Sequence, residues 1–186
     1  IGTLLALALA RHRFRGRTVL EGLLYLPIVT PEIVMGISLL LLFATLNIAL
    51  GVPTIVLAHV AFSISFVVVV VRARLEGMDR NLEEAALTLG ADELATFRLV
   101  TLPLLWPGIL AGALLAFTMS IDDFVITFFV SGPGSTTLPV LIYSMARRTI
   151  EPTINAVSTV IVLVTTVLIY GFDRLTRGRE PSEGTA

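Results

Sequence analysis

Between Glu32 and Arg72 the chain runs for 39 residues without a single Asp, Glu, Lys or Arg. A membrane-spanning helix needs about 20 apolar residues, so this run is too long for one span and suits two. Gly51 and Pro53 lie near its middle, and both residue types interrupt helices. The sequence therefore predicts two consecutive membrane helices here.

The composition supports the same class. Hydrophobic residues make up 55% of the 186, and charged residues make up 15%, against roughly 25% in soluble domains. Two further uncharged stretches later in the chain are also long enough to span a membrane. The first ten residues are apolar too, but as a helix they would cross only about half of the membrane. We expect an all-α polytopic membrane protein that is N-terminally truncated, with four full spans plus the end of a fifth. The predicted spans are about 1–10 (partial), 22–46, 54–72, 104–130 and 152–172.

The basic residues predict the orientation. All thirteen are arginines, and eleven of them lie in three segments, 11–17, 72–98 and 174–179. Arg147 and Arg148 stand apart in the segment between the last two spans. Because arginine-rich loops stay in the cytoplasm, we expect the eleven, and the C-terminus, to lie inside the cell. This divides the chain into a transmembrane domain at 1–174, with a cytoplasmic loop at 76–102, and a disordered cytoplasmic tail at 175–186.

Several function classes are excluded by what the chain lacks. The net charge of −1 does not suit a nucleic-acid-binding protein. The absence of cysteine excludes disulfide scaffolds, cysteine-ligated zinc and thiol nucleophiles. The absence of lysine excludes a P-loop ATPase site and Schiff-base chemistry. We expect no catalytic site, metal or cofactor in this chain.

The predicted cytoplasmic loop contains signals for two short helices joined at a hinge. Asn81 can cap the first helix with Glu84 completing a capping box, and Gly90 suits a left-handed helix end. Asp92 can cap the second helix, and Pro103 marks entry into the next span. The first helix would carry an apolar stripe along one face, formed by Leu82, Ala85, Ala86 and Leu89, which have helical spacing.

The spacing within this loop is specific. Glu84-Ala85-Ala86, three residues, Gly90, nine residues and then Val100-Thr101-Leu102-Pro103 resembles the EAA loop of ABC-importer permeases, departing only by Val100 where the family pattern has isoleucine. The resemblance implies that this loop docks on a separate ATP-binding subunit, which binds the ATP and Mg²⁺. The ATPase-coupling residues that it implies are Glu84, Ala85, Ala86, Gly90, Leu102 and Pro103.

Three other stretches, 31–40, 117–134 and 138–145, are similar to the second permease subunit of spermidine/putrescine importers. This resemblance implies a MetI-like ABC permease helix bundle in the bacterial inner membrane. It also implies a second permease subunit and a periplasmic or extracellular substrate-binding protein as partners. The same architecture serves other solutes, such as another amine, an iron complex or thiamine, and these stay open as alternatives.

Three acidic residues, Glu32, Asp122 and Asp123, lie within apolar segments. An ionisable group at such depth costs about 2.5 kcal/mol or more, so it usually faces a cavity or a partner. Carboxylates are natural counter-charges for a polycation, and aromatic rings add cation–π attraction. We hypothesise that these acids and Phe124 form the substrate pathway. Alternatively, one aspartate only caps a helix or pairs with a partner subunit.

Some candidates have plainer explanations. Phe117, Phe124 and Phe128 would share one face of a continuous helix, and such a stripe also suits lipid or core packing. An intramembrane hydrolase using Asp122 or Asp123 is a weaker alternative, because neighbouring residues on a helix do not face each other. His59 has no motif around it and is interpreted as a hydrogen-bonded structural residue. Arg147 and Arg148 fit either a docking surface for the binding protein or a solvated loop.

Overall fold

The computed structural model describes the backbone of residues 1–148 and 152–177, which form ten α-helices. Residues 1–137 make one compact unit, and the described residues from Leu138 to Arg177 belong to a second. A π-helical segment, Phe97–Thr101, joins α6 to α7. The helices are α1 (Gly2–Arg11), α2 (Arg17–Val29), α3 (Glu32–Thr45), α4 (Val52–Glu76), α5 (Asn81–Thr88), α6 (Glu93–Thr96), α7 (Leu102–Asp122), α8 (Val125–Val130), α9 (Leu138–Arg148) and α10 (Pro152–Arg177).

Helix α4 lies at the centre of the first unit, where it packs against α1, α2, α7 and α8. Its apolar side chains join two buried clusters. One cluster contains Phe62 of α4 with Phe43 of α3 and Ile126 of α8. The other contains Val71 of α4 with Leu9 of α1. The central helix therefore connects the two halves of this unit.

Small residues allow α4 and α7 to pack closely. A Cβ added at Gly108 would lie 2.7 Å from the Arg74 Cβ, and one at Gly112 would lie 3.4 Å from a Val67 methyl group. The Gly-x-x-x-Gly spacing of these two residues is a known signal for close packing of membrane helices. Arg74 also donates from Nε to the Leu104 carbonyl at 3.1 Å, which ties the two helices at this point.

The predicted helix over 22–46 is wrong as one continuous helix. The structure forms α2 and α3 with a bend of 116° between them. Thr30 and Pro31 are both extended, with ψ angles of 132° and 136°. The proline has no N–H to continue the helical ladder and disfavours helical geometry in the residue before it. The chain therefore turns at this dipeptide, and Glu32 begins a new helix.

The predicted helix over 104–130 is also broken. Helix α7 ends at Asp122, and Asp123 is extended with φ −64° and ψ 118° before α8 begins at Val125. Pro103 lies at the entrance of α7 as expected, whereas Pro107 lies inside the helix. The predicted break around Gly51 and Pro53 is confirmed, since α3 ends before it and α4 begins within it.

Two glycines allow the α3 and α8 segments to approach each other closely. A Cβ at Gly36 of α3 would lie 2.7 Å from the ring of Phe129, so the helices approach at this glycine. After α8, Gly132 rests against the backbone at Leu50, and a Cβ there would overlap the Leu50 carbonyl. Nearby, the hydroxyl of buried Thr54 lies 2.7 Å from the Val130 carbonyl oxygen. Helices α3 and α8 are thus in close contact at Gly36, and the segments that follow them meet at Leu50 and Gly132.

Within the described residues, two helical runs are long and apolar enough to cross a membrane, Val52–Glu76 and Glu93–Asp122. The bent pair α2 and α3 makes a third if it is counted as one span. Helix α10 carries a shorter apolar stretch, Ala156–Gly171. The predicted number of spans and their orientation stay predictions.

In the second unit, α9 and α10 contact each other. Arg147 on α9 lies over the ring of Tyr143, 5.7 Å from its centre. The stretch 138–145 is helical and belongs to α9. The predicted tail at 175–186 falls largely outside the described residues.

Candidate functional site

A cavity of about 410 Å³ lies in the first unit at the place where both broken helices are interrupted. It is walled by α2, α3, α4, α7, α8 and the two breaks. Its lining residues are Pro27, Ile28, Thr30, Pro31, Glu32, Met35, Phe62, Phe66, Met119, Asp122, Asp123, Phe124, Val125 and Ile126. The structure thus brings together all four residues predicted for the substrate pathway, although Glu32 is 90 residues from Asp122 in sequence.

Two of the acids present unpartnered carboxylates to this cavity. Glu32 is the first residue of α3, Asp122 is the last of α7, and both are exposed. Within the part of the chain that the structure describes, neither carboxylate has a hydrogen-bond or ion-pair partner, and no lining residue is basic. Uncompensated negative charge in a concave site attracts cations.

Asp123 is different, because its carboxylate is already occupied. Oδ2 accepts the Thr127 N–H at 2.8 Å and the Thr127 hydroxyl at 2.6 Å, and Oδ1 accepts the Ile126 N–H at 3.3 Å. The side chain is only 6% exposed. Asp123 therefore caps the start of α8. This matches the alternative that one of the two aspartates caps a helix. The capped helix, α8, belongs to this chain.

His59 on α4 contacts this cap from the neighbouring helix. Its Nδ1 lies 2.7 Å from the Ser120 hydroxyl, and its Nε2 lies 2.8 Å from the Thr127 hydroxyl and 3.3 Å from Asp123 Oδ2. The prediction of a hydrogen-bonded structural histidine is confirmed. Its pairing with Asp123, 64 residues away, was not predicted, because no local motif joins the two.

The breaks themselves are informative. A helix end exposes backbone N–H and C=O groups that are tolerated at membrane depth only when buried in protein or lining a cavity. Here two ends meet at one cavity, an arrangement that builds ion and substrate sites in transporters. The walls also carry apolar rings from Phe62, Phe66 and Phe124. The cavity can therefore accept a cation with an apolar body.

The predicted phenylalanine stripe is wrong. Phe117 lies on α7 before the break, whereas Phe124 and Phe128 follow it, with ring centres 5.7 Å apart. Since the break interrupts the helical periodicity, the three do not lie on one helix. Phe124 alone among them lines the cavity.

The loop at 76–102 forms the two predicted short helices, α5 and α6. Gly90 between them has φ +92°, the left-handed conformation expected at that position. Asp92 caps α6 by accepting the Ala95 N–H at 2.6 Å, also as expected. The Asn81 cap is wrong: Asn81 is the first residue of α5, and its N–H donates to Asp79 Oδ1 at 3.0 Å. Asp79 lies two residues before Asn81 and accepts its N–H, while Arg80 precedes the first helical residue without a side-chain cap.

The motif residues occupy defined places in this loop. Glu84, Ala85 and Ala86 lie on α5, while Leu102 and Pro103 open α7. Glu84, Ala85 and Gly90 are exposed. Five leucines of the loop are exposed as well: Leu89 is 88% exposed, and the others are Leu82, Leu87, Leu94 and Leu99. The expected apolar stripe thus has an outer edge that the described residues leave uncovered.

Glu83, beside the motif, is the most constrained charge of the loop. It forms an ion pair with Arg11 and accepts the Thr101 hydroxyl, and its side chain is 13% exposed. Burial by itself raises the pKa of Glu83, but the hydrogen bonds from Arg11 and Thr101 outweigh it and hold the pKa below its usual value. The carboxylate is therefore ionised at neutral pH.

The family model described as "Binding-protein-dependent transport system inner membrane component" matches residues 2–182. The chain belongs to this family. As a binding-protein-dependent transport component it is not an enzyme, and the hydrolase alternative is wrong. The membership also agrees with the expected all-helical permease architecture.

Curated relatives of this transport component include two permease types. It is 41% identical over 184 residues to the spermidine/putrescine transport system permease protein PotC of Shigella flexneri, covering 99% of this chain and 70% of the relative. It is 48% identical over 168 residues to the putrescine transport system permease protein PotI of Escherichia coli K12, covering 87% and 60%. The chain thus spans 60–70% of the length of these relatives.

A solved structure, titled as the crystal structure of an amino acid ABC transporter with histidines, shares the fold with a TM-score of 0.67. The two chains are 21% identical, and the match covers 93% of this chain and 84% of the other. This confirms the expected ABC permease helix bundle for the binding-protein-dependent transport component.

Proposed function

We propose that this chain is a permease subunit of an ATP-driven importer for polyamines such as spermidine and putrescine. The observation that carries the proposal is the cavity at the two helix breaks, which presents the free carboxylates of Glu32 and Asp122 among apolar and aromatic walls. A polyamine alternates ammonium groups with methylene segments, so it matches both kinds of lining. Relatives named for putrescine and spermidine transport support this choice of solute.

The chemistry of the pathway is binding and release rather than reaction. Glu32, Asp122, Asp123 and Phe124 line the route, and the free carboxylates replace part of the water around an ammonium group. Phe124 adds a ring face near the charge. A cation is then stabilised at a depth where an isolated charge would be costly.

The loop at 76–102 couples ATP hydrolysis in a partner subunit to transport. Its exposed motif residues and leucines form the surface on which an ATP-binding subunit docks, and that subunit supplies ATP and Mg²⁺. The chain works beside a second permease subunit and receives its solute from a periplasmic or extracellular binding protein. It lies in the inner membrane with its C-terminus in the cytoplasm, as the arginine distribution indicates.

The test is uptake of radiolabelled putrescine by the complete transporter in proteoliposomes containing ATP. We expect Glu32→Gln and Asp122→Asn each to reduce uptake at limiting putrescine about fivefold, since each loses one charge-assisted contact. Glu183→Gln, in the predicted tail, is the matched control and retains full uptake. No putrescine uptake by the wild type, with uptake of thiamine or a ferric complex instead, contradicts the proposed solute.

A further inference from the structure

Asp122 and Asp123 are adjacent in sequence but differ in their contacts. The Asp122 carboxylate is exposed in the cavity and has no partner among the described residues. The Asp123 carboxylate is nearly buried and accepts three hydrogen bonds from Ile126 and Thr127. Two identical side chains at one helix break are thus placed in opposite environments.

We propose that Asp123, His59, Thr127 and Ser120 form a positioning network that fixes the break between α7 and α8, and that Asp122 is the aspartate that contacts the transported cation. This rests on the proposed function for the identity of the cation. It assigns different tasks to two residues that the sequence treats alike, and it gives His59 a role in transport without contact to the substrate.

One placement of hydrogens satisfies every contact in the network. The Ser120 hydroxyl donates to His59 Nδ1, His59 Nε2–H donates to the Thr127 hydroxyl oxygen, and the Thr127 hydroxyl donates to Asp123 Oδ2. Each hydroxyl hydrogen and the imidazole hydrogen is then used once. The chain of bonds starts on α7, passes through α4 and ends at the cap of α8. It therefore joins the two sides of the break through a third helix.

Asp123 is poorly suited to hold a cation directly. An ammonium group would compete with bonds that the carboxylate already accepts, two of them from the N–H groups at the start of α8. Losing those bonds leaves buried backbone donors unpaired. The carboxylate of Asp122 has no such bonds to give up. Asp122 is therefore the residue that contacts the cation directly. Asp123, which follows the last residue of α7, holds the break in place and so fixes the position of Asp122.

The network predicts separable kinetic effects in the complete transporter, measured by putrescine uptake. Asp122→Asn raises the apparent KM about fivefold with Vmax within about twofold, because it removes a substrate contact. Thr127→Val is isosteric but cannot pass the hydrogen bond from His59 to Asp123, so it lowers Vmax about fivefold with KM within about twofold. Thr127→Ser keeps the hydroxyl and restores most of the Vmax.

Thr118→Val is the matched control, since within the described part of the chain the Thr118 hydroxyl bonds only the Leu114 carbonyl of its own helix. A Thr127→Val variant that behaves like Thr118→Val, or that raises KM as Asp122→Asn does, overturns the proposal. If Thr127→Val does not assemble, Ser120→Ala removes only the outermost donor and is measured in the same way, with the same expected loss of Vmax.

A second measurement does not depend on the transported solute. Because the chain contains no cysteine, Asp122→Cys gives a single thiol in the cavity whose reaction rate with methanethiosulfonate ethylammonium reports its exposure. We expect Thr127→Val to slow this reaction about fivefold and Thr118→Val to leave it unchanged. Equal rates in the three backgrounds overturn the positioning role. Absence of putrescine uptake by the wild type would overturn the proposed solute alone.

Discussion

Arg11 at the end of α1 forms an ion pair with Glu83 on α5, although 72 residues separate them. Glu83 also accepts the Thr101 hydroxyl from the π-helical segment that leads into α7. One carboxylate of the loop that carries the Glu84-Ala85-Ala86 motif therefore connects three segments.

Replacing this carboxylate tests the connection. We expect Glu83→Gln to destabilise the permease by about 1–2 kcal/mol, because it weakens a partly buried charge-assisted pair. Thermal unfolding of the detergent-purified protein measures this. Glu84→Gln, an exposed neighbour on α5, is the control and should leave the unfolding temperature unchanged. Equal effects of the two substitutions would contradict a special role for Glu83.

The same residue predicts a dependence on pH. The pKa of Glu83 is lowered in the folded protein by Arg11 and Thr101 against the effect of burial, so ionised Glu83 favours folding. That contribution is complete above the ordinary glutamate pKa of about 4.3 and disappears as pH falls through the lower, folded-state value. We expect the difference in unfolding temperature between wild type and Glu83→Gln to be constant from pH 8 to about 5 and to shrink below it. A difference that persists in strong acid would show that the charge is not its cause.

Close packing of α4 on α7 gives a third prediction. At Gly108 a new Cβ would lie 2.7 Å and 2.8 Å from the Arg74 Cβ and Cγ, so Gly108→Ala should destabilise the permease by about 1–3 kcal/mol. Gly22 is also helical, but a Cβ there would meet nothing within 4 Å. Gly22→Ala should therefore be neutral or slightly stabilising. Thermal unfolding distinguishes the two, and a stable Gly108→Ala variant would contradict the packing.

The left-handed turn at Gly90 gives a fourth. A Cβ at Gly90 would meet no atom within 4 Å, so a substitution is opposed only by the backbone, whose φ is +92°. We expect Gly90→Ala to strain the turn by about 1 kcal/mol and to lower transport per ATP hydrolysed. Gly90→Asn should be milder, because asparagine tolerates this region better. The measurement is putrescine uptake against phosphate release in proteoliposomes, and identical ratios for both variants would contradict the explanation.

Local signals predicted the parts of the fold that depend on nearby residues. The turn at Gly90, the Asp92 cap, the Pro103 helix entrance and the break near Gly51 all follow from steric or capping preferences within four residues. The Asn81 cap failed at the same level, because Asp79 competes two positions earlier and takes the N–H.

Features that depend on distant residues were not predicted. Hydropathy averages over a window, so the apolar segment containing Pro31 looked like one helix although the proline bends it by 116°. Composition showed that three acids lie among apolar residues, but only folding brings Glu32 to the same cavity as Asp122. The contacts of His59 with Asp123 and of Arg11 with Glu83 join residues that are far apart in sequence. Helical spacing rules relate only residues within a few positions of each other, so they could not predict these contacts.

The contact of Gly132 with the Leu50 backbone has a mechanical consequence. Because no side chain fits between these two backbone segments, the chain after α3 and the chain after α8 are in direct backbone contact. The turns that precede the same two helices, Thr30–Pro31 and Asp123–Phe124, both border the cavity. The two helices are thus neighbours beyond both of their ends, and a displacement of one relative to the other would change the cavity lining and the contact at Gly132 together.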